Sequence, residues 1–198
     1  MTIAEALKPA GYVTGIFGKW HLDGKDGATP EEQGFDEVFQ SEHGWEHKEP
    51  ENPKGIYSLT TAAGAFMERN KDKPFFLYLP HYAIHSSLQA RESSLAKFKA
   101  KKPGKQHRGA MYAACTYDFD DGVGILLEKL KSLGLEENTM VVFTSDNGST
   151  QSSSQEPLRG SKGSYYEGGM STCPSFDTMT PTQSSITTTA GITRVNKL

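Results

Sequence analysis

Residues 74–85 read PFFLYLPHYAIH. After Pro74 the run FFLYL is apolar without alternation and of strand length. A half-exposed strand would alternate, so this run predicts a strand covered on both faces. Downstream, residues 107–133 predict a long helix stopped by Gly134, and TMVVFTSDNG (139–148) predicts a second buried strand ending in polar residues. Strand, helix, strand in that order is a right-handed crossover unit, which predicts an α/β fold with parallel neighbours.

Working outward, Ile3, Ala6, Leu7 and Ala10 repeat at helical spacing over residues 2–10, before Gly11. Tyr12 to Phe17 is β-prone and broken by Gly18. GFDEVF (34–39) suggests another short strand, and residues 57–70 suggest a helix carrying Leu59, Ala63, Phe66 and Met67. Residues 21–34 and 41–55, rich in glycine or in His, Glu and Pro, predict loops. The last 28 residues, 171–198, hold twelve Ser or Thr and three charged residues. Such a tail buries too little surface to offset its ordering entropy, so disorder, or sequence foreign to the fold, is expected there.

The chain has 198 residues, 35% of them hydrophobic, and a net charge of −3. That length suits one domain and can bury a core. Mixed charge near balance argues against a wholly disordered chain and against a dedicated nucleic-acid binder. Two cysteines make no disulfide framework, and neither a membrane span nor a signal peptide is visible.

Polar groups gather just after the expected strands: GKWHL (18–22), HYAIH (81–85) and SDNG (145–148). Open α/β sheets bind ligands outside the carboxyl ends of their strands, so these segments are expected to share one crevice. They bring Lys19, His21, His81, His85, Asp146 and Asn147. A glycine-rich fourth segment, LRGSKGSYYEGG (158–169), brings Arg159 and Lys162. Asp146 and Asn147 are oxygen donors suited to a hard cation, lysines suit an anion, and histidine moves protons near neutral pH. Together they describe hydrolysis or transfer of a phosphate or sulfate ester.

Each element also has a plainer reading. Asp-Asn-Gly is a common turn, His81 and His85 could be hydrogen-bonded strand-end residues, and Lys19 could be solvated. KFKAKKPGKQHR (97–108) is basic, but with Phe98 alone it reads as a solvated loop ahead of a nucleic-acid patch. Cys115 reads as core. No P-loop, HExxH or GxSxG motif occurs.

GYVTGIFGKWHL (11–22), EQGFDEVF (32–39), PFFLYLPHYAIH (74–85), DDGVGILLEKLKSLGLEENTMVVFTSDNG (120–148) and LRGSKGSYYEGG (158–169) together resemble the type I sulfatases. These arylsulfatase-like enzymes belong to the alkaline phosphatase-like superfamily. The resemblance implies a three-layer α/β/α domain with a largely parallel sheet, incomplete here over residues 1–170. It implies a sulfuric ester hydrolase acting on a sulfate monoester of a small molecule or carbohydrate. Lys19 and His21 match the residues that contact the family's nucleophile, and His85 matches the candidate general acid. Lys162 matches the sulfate-binding lysine, with weaker matches at Arg159 and His81. Asp146 and Asn147 match two ligands of a divalent metal, calcium by expectation and magnesium as the alternative.

The family's nucleophile is a formylglycine made within C/S-x-P/A-x-R. Here Cys173 is followed by Pro174 and Ser175, and Cys115 by Thr116 and Tyr117. Ser94-Leu95-Ala96-Lys97 ends in Phe98. None of these fits, and the family's motif lies upstream of GKWHL. The chain is therefore expected to be truncated at both ends and inactive alone. Poor folding or self-association through an exposed sheet edge is expected, with no nucleic acid or membrane as partner. A phosphatase or phosphodiesterase of the same superfamily, or a non-catalytic anion-binding remnant, are the alternatives. No compartment is assigned.

Overall fold

The structure, a computed structural model, describes residues 1–22, 28–40, 49–105, 109–150 and 153–170, together with the strand backbone at 175–177 and 190–193. Helix α1 (Ile3–Leu7) starts at Thr2. The Thr2 hydroxyl accepts from the Glu5 N–H (3.1 Å), and Glu5 Oε2 accepts from the Thr2 N–H (2.6 Å). This reciprocal cap satisfies two backbone donors that a short helix would leave unpaired. A single 3-10 turn follows and ends at Gly11 (φ 81°), where the expected stop stands.

Strands β1 (Val13–Phe17), β2 (Glu37–Phe39) and β3 (Phe75–Tyr78) are parallel, with β1 between the other two. Helices α2 (Ile56–Arg69) and α4 (Ala110–Ser132) flank them, α3 (Glu92–Lys99) packs on α4, and β4 (Met140–Phe143) follows α4. A short helix α5 (Glu167–Met170) closes the glycine-rich segment. Strands β5 (Ser175–Asp177) and β6 (Ala190–Thr193) complete a sheet of order β2-β1-β3-β6-β4-β5.

β6 runs antiparallel to both β3 and β4. β3 and β4 therefore point the same way, as a crossover unit requires, but they are not neighbours. The expected direct pairing is corrected by this intervening strand, which takes its hydrogen bonds from both. The two described pieces of the 171–198 segment are thus sheet strands. The rest of that segment lies outside the described residues, as do 23–27, 41–48 and 106–108.

Side chains alternate across each strand, so consecutive residues feed opposite faces. Phe17, Phe75 and Leu77 pack against Leu59, Ala63, Phe66 and Met67 of α2 and Leu126 and Leu130 of α4. Ile16 and Phe76 face the other way, onto Ala4 of α1 and Phe35. Both faces of β1 and β3 are covered, as the unbroken FFLYL run predicts, and the result is a three-layer α/β fold. A third cluster of Ile56, Ala83, Cys115 and Phe119 lies beyond the end of β3 and supports the loop carrying His81 and His85. Cys115 is fully buried, and burial pushes its thiol up to about 11. It is a core residue. Among the described residues no helix is long and apolar enough to cross a membrane.

Candidate active site

Backbone contacts at two glycines draw the polar segments together. Gly18 has φ 135°, and a Cβ there would stand 2.1 Å from the Pro80 carbonyl oxygen. Only glycine fits, because both the conformation and the space exclude a side chain. The Gly18 N–H donates to the Phe39 carbonyl (2.8 Å) and the Lys19 N–H to the Pro80 carbonyl (2.7 Å). GKWHL is thereby pinned between the ends of β2 and β3. At Gly148 a Cβ would stand 1.8 Å from the Gly168 carbonyl oxygen. The Gly148 N–H donates to the Gly169 carbonyl (3.0 Å) and the Lys162 N–H to the Ser149 carbonyl (2.9 Å). The 158–169 loop is thus stitched to the segment that leaves β4.

The outcome is a cleft of about 730 Å³ whose lining includes Lys19, His21, His85, Asp146, Asn147 and Lys162. Four segments far apart in sequence meet there, as the strand-end rule predicts. His81 also lines the cleft but is 6% exposed. Its ring stands edge-on to Phe119, centroids 4.8 Å apart, and neither ring nitrogen has a hydrogen-bond partner among the described residues. Arg159 is not among the lining residues. Its guanidinium lies 3.8 Å from the Tyr166 ring centroid, an aromatic contact made outside the cleft. Sequence reasoning did not find Tyr78 and Tyr112, which also line the cleft. Tyr112 sits in the first turn of α4 and carries no motif, so only the fold could bring it there.

Charges in the cleft act on one another. Burial lowers the Lys19 pKa, Asp146 opposes that shift, and Lys162 adds to it. Burial is also the first cause lowering His85; the Ser86 carbonyl opposes it, while Lys162, Lys19 and Lys54 push the same way as burial. His85 Nδ1 lies 2.6 Å from the Ser86 carbonyl oxygen. A carbonyl only accepts, so Nδ1 carries a proton and Nε2 is the nitrogen that titrates. Burial holds His81 neutral, with a pKa down at about 3. Burial, and then Asp146, raises Tyr78. Lys54, also missed in the sequence, is fully buried, and burial lowers its pKa.

Asp146 and Asn147 are adjacent oxygen donors, but no group of three or more His, Cys, Asp or Glu among the described residues could hold a metal ion. Calcium takes about six to eight oxygen ligands. Asp146 and Asn147 are two oxygen donors against that number.

These features, a covered α/β sheet with lysines, histidines and an Asp-Asn pair at its strand ends, match a known family. The Sulfatase family model matches residues 1–183, and the chain belongs to that family. It is 31% identical over 199 residues to arylsulfatase J of Mus musculus, covering 85% of this chain and 33% of that protein. It is 33% identical over 204 residues to the N-acetylgalactosamine-6-sulfatase of Homo sapiens, covering 85% and 37%. The crystal structure of Ps i-CgsB in complex with k-i-k-neocarrahexaose superposes with a TM-score of 0.74 at 32% identity, over 87% of this chain and 46% of that one. The chain therefore spans about a third of the length of the curated relatives it matches.

Proposed function

We propose that the cleft binds a sulfate monoester carried on a carbohydrate and that the chain is part of a sulfuric ester hydrolase. The observation that carries this reading is the meeting of Lys19, His21, His85, Asp146, Asn147 and Lys162 on one cleft. Two ammonium groups there suit a sulfate oxyanion. His85, with Nδ1 held on a carbonyl, can present a proton from Nε2 to the leaving-group oxygen. Lys19 and His21 stand on the same segment, suited to contact a nucleophile and to help release sulfate from it. Asp146 and Asn147 would contribute two ligands to a divalent cation, which would neutralise charge on the sulfate. Arg159, outside the lining, is assigned no contact with the ester. A carbohydrate is favoured because the Ps i-CgsB crystal holds a neocarrahexaose and the human relative is an N-acetylgalactosamine-6-sulfatase.

Hydrolysis also needs a nucleophile, and no C/S-x-P/A-x-R motif stands in these 198 residues. Losing a nucleophile from a working ensemble costs on the order of 10⁶-fold, whereas general acid catalysis returns roughly 10²–10⁴-fold. Binding without turnover is therefore expected of this chain alone. Titration with 4-nitrocatechol sulfate, followed through the histidine ring signals, should shift His85. Lys19→Ala and Lys162→Ala should each weaken binding roughly tenfold. No binding, or stronger binding of the matching phosphate ester, would overturn the sulfate reading. Sulfate release with added calcium should not exceed that of His85→Ala, and release above that control would show a competent enzyme.

A further inference from the structure

The stretch KFKAKKPGK (97–105) holds five lysines and no acidic residue, in a chain whose net charge is −3. Lys97 and Lys99 end α3, and Lys101, Lys102 and Lys105 follow it. All five are exposed. Among the described residues Lys97, Lys99, Lys101 and Lys102 form no ion pair with a carboxylate. Two of them are instead held by aromatic rings. Lys97 Nζ stands 3.7 Å from the centroid of Tyr117, and Lys101 Nζ stands 4.9 Å from that of Phe98. The two rings meet each other at 5.7 Å and 61°. Tyr117 belongs to α4, so the sequence around Lys97 shows Phe98 but not this second ring.

A carboxylate partner would fix a lysine and cancel its charge. A ring face fixes the lysine and leaves the charge in place. The result is a patch of uncancelled cations, two of them held in place by rings, which suits a partner with repeated anionic groups. Its place matters too. Tyr112 lines the cleft, and Tyr117 lies five residues further along α4, about 7.5 Å by helical rise. Five residues also turn the helix by about 140°, so patch and cleft lie on different faces of α4.

We propose that the lysine face of α3 and its following segment is a docking surface for a linear sulfated polysaccharide, outside the cleft. This deepens the proposed function and rests on it for the choice of sulfate as the anionic group. A nucleic acid fits less well. Single strands bind by stacking bases on open aromatic faces, and here both rings already face an ammonium group and each other.

The purified chain should bind dextran sulfate and not dextran. The variant Lys97→Ala/Lys99→Ala/Lys101→Ala/Lys102→Ala should bind dextran sulfate at least ~10-fold more weakly and with a shallower salt dependence, as lost counterion release requires. Lys131→Ala, at an exposed lysine in the last turn of α4 away from both patch and cleft, should leave dextran sulfate binding within about twofold. Matching circular dichroism melts would show that the quadruple variant is folded. The proposal is overturned if the wild-type chain does not bind dextran sulfate, if the quadruple variant binds it equally well, if Lys131→Ala weakens that binding as much as the quadruple variant does, or if a single-stranded DNA oligonucleotide displaces it at lower concentration. Binding of 4-nitrocatechol sulfate by the quadruple variant reports on the cleft alone, so failure of the patch and failure of the cleft are told apart.

Discussion

His81 buries an imidazole with neither nitrogen hydrogen-bonded among the described residues, and leaving a buried polar group unpaired costs about 1–3 kcal/mol. The fold tolerates this because the ring packs on Phe119, which rewards shape rather than polarity. His81→Leu should therefore raise thermal stability near neutral pH by roughly 1 kcal/mol, read as an increase in melting temperature. A fall in melting temperature would mean that the ring's shape outweighs its unpaired nitrogens. Acid should reveal the same residue. The folded pKa is about 3 against 6.5 for a free histidine, so between those values the unfolded state binds a proton that the folded state refuses. Its contribution to stability is whole above pH 6.5 and is lost as pH falls toward 3. His81→Leu should flatten that limb of the stability curve; an unchanged limb would show that the ring titrates normally. The pairing state of His81 was not legible in HYAIH, since partners come from other segments. The close approach at Gly18 was equally hidden, because the oxygen that excludes a side chain belongs to Pro80.

Between elements, the most consequential contact joins α3 to α4. Asp118 is fully buried in α4. It accepts from the backbone N–H (2.7 Å) and Nε (2.9 Å) of Arg91 and from the Ser94 hydroxyl. Arg91 also reaches Asp121 (3.0 Å), which accepts from the Tyr57 hydroxyl at 2.8 Å. This network fixes the end of the loop that begins at His81 and carries His85. Asp118→Ala leaves the partly buried Arg91 guanidinium with Asp121 alone and strands the Arg91 N–H and the Ser94 hydroxyl, a loss of roughly 3 kcal/mol. Amide exchange should quicken across residues 81–91 more than in β1. Uniform acceleration would instead mean global destabilisation without a local role. The helices themselves were legible: the apolar spacing placed α2 and α4 almost at their observed bounds. The acid in α4 was not. Asp118 reads as one more polar residue until α3 folds against it.

Across the whole molecule, the sheet ends in two three-residue strands, β2 on one edge and β5 on the other. Edge strands present unpaired backbone donors and acceptors, and so invite pairing with another chain. Self-association should appear as a concentration-dependent mass in sedimentation, whereas a monomer at every concentration would remove it. That buried strands run between helices and that polar groups stand at the strand ends was legible in the residues alone. Local apolar patterning and glycine punctuation encode both, and a shared rim follows from them. Tertiary structure alone decided that β6 separates β3 from β4, that Arg159 turns onto Tyr166, and that Tyr117 holds Lys97. Each of those outcomes depends on which distant segment supplies the neighbour, and residue spacing carries no record of that choice.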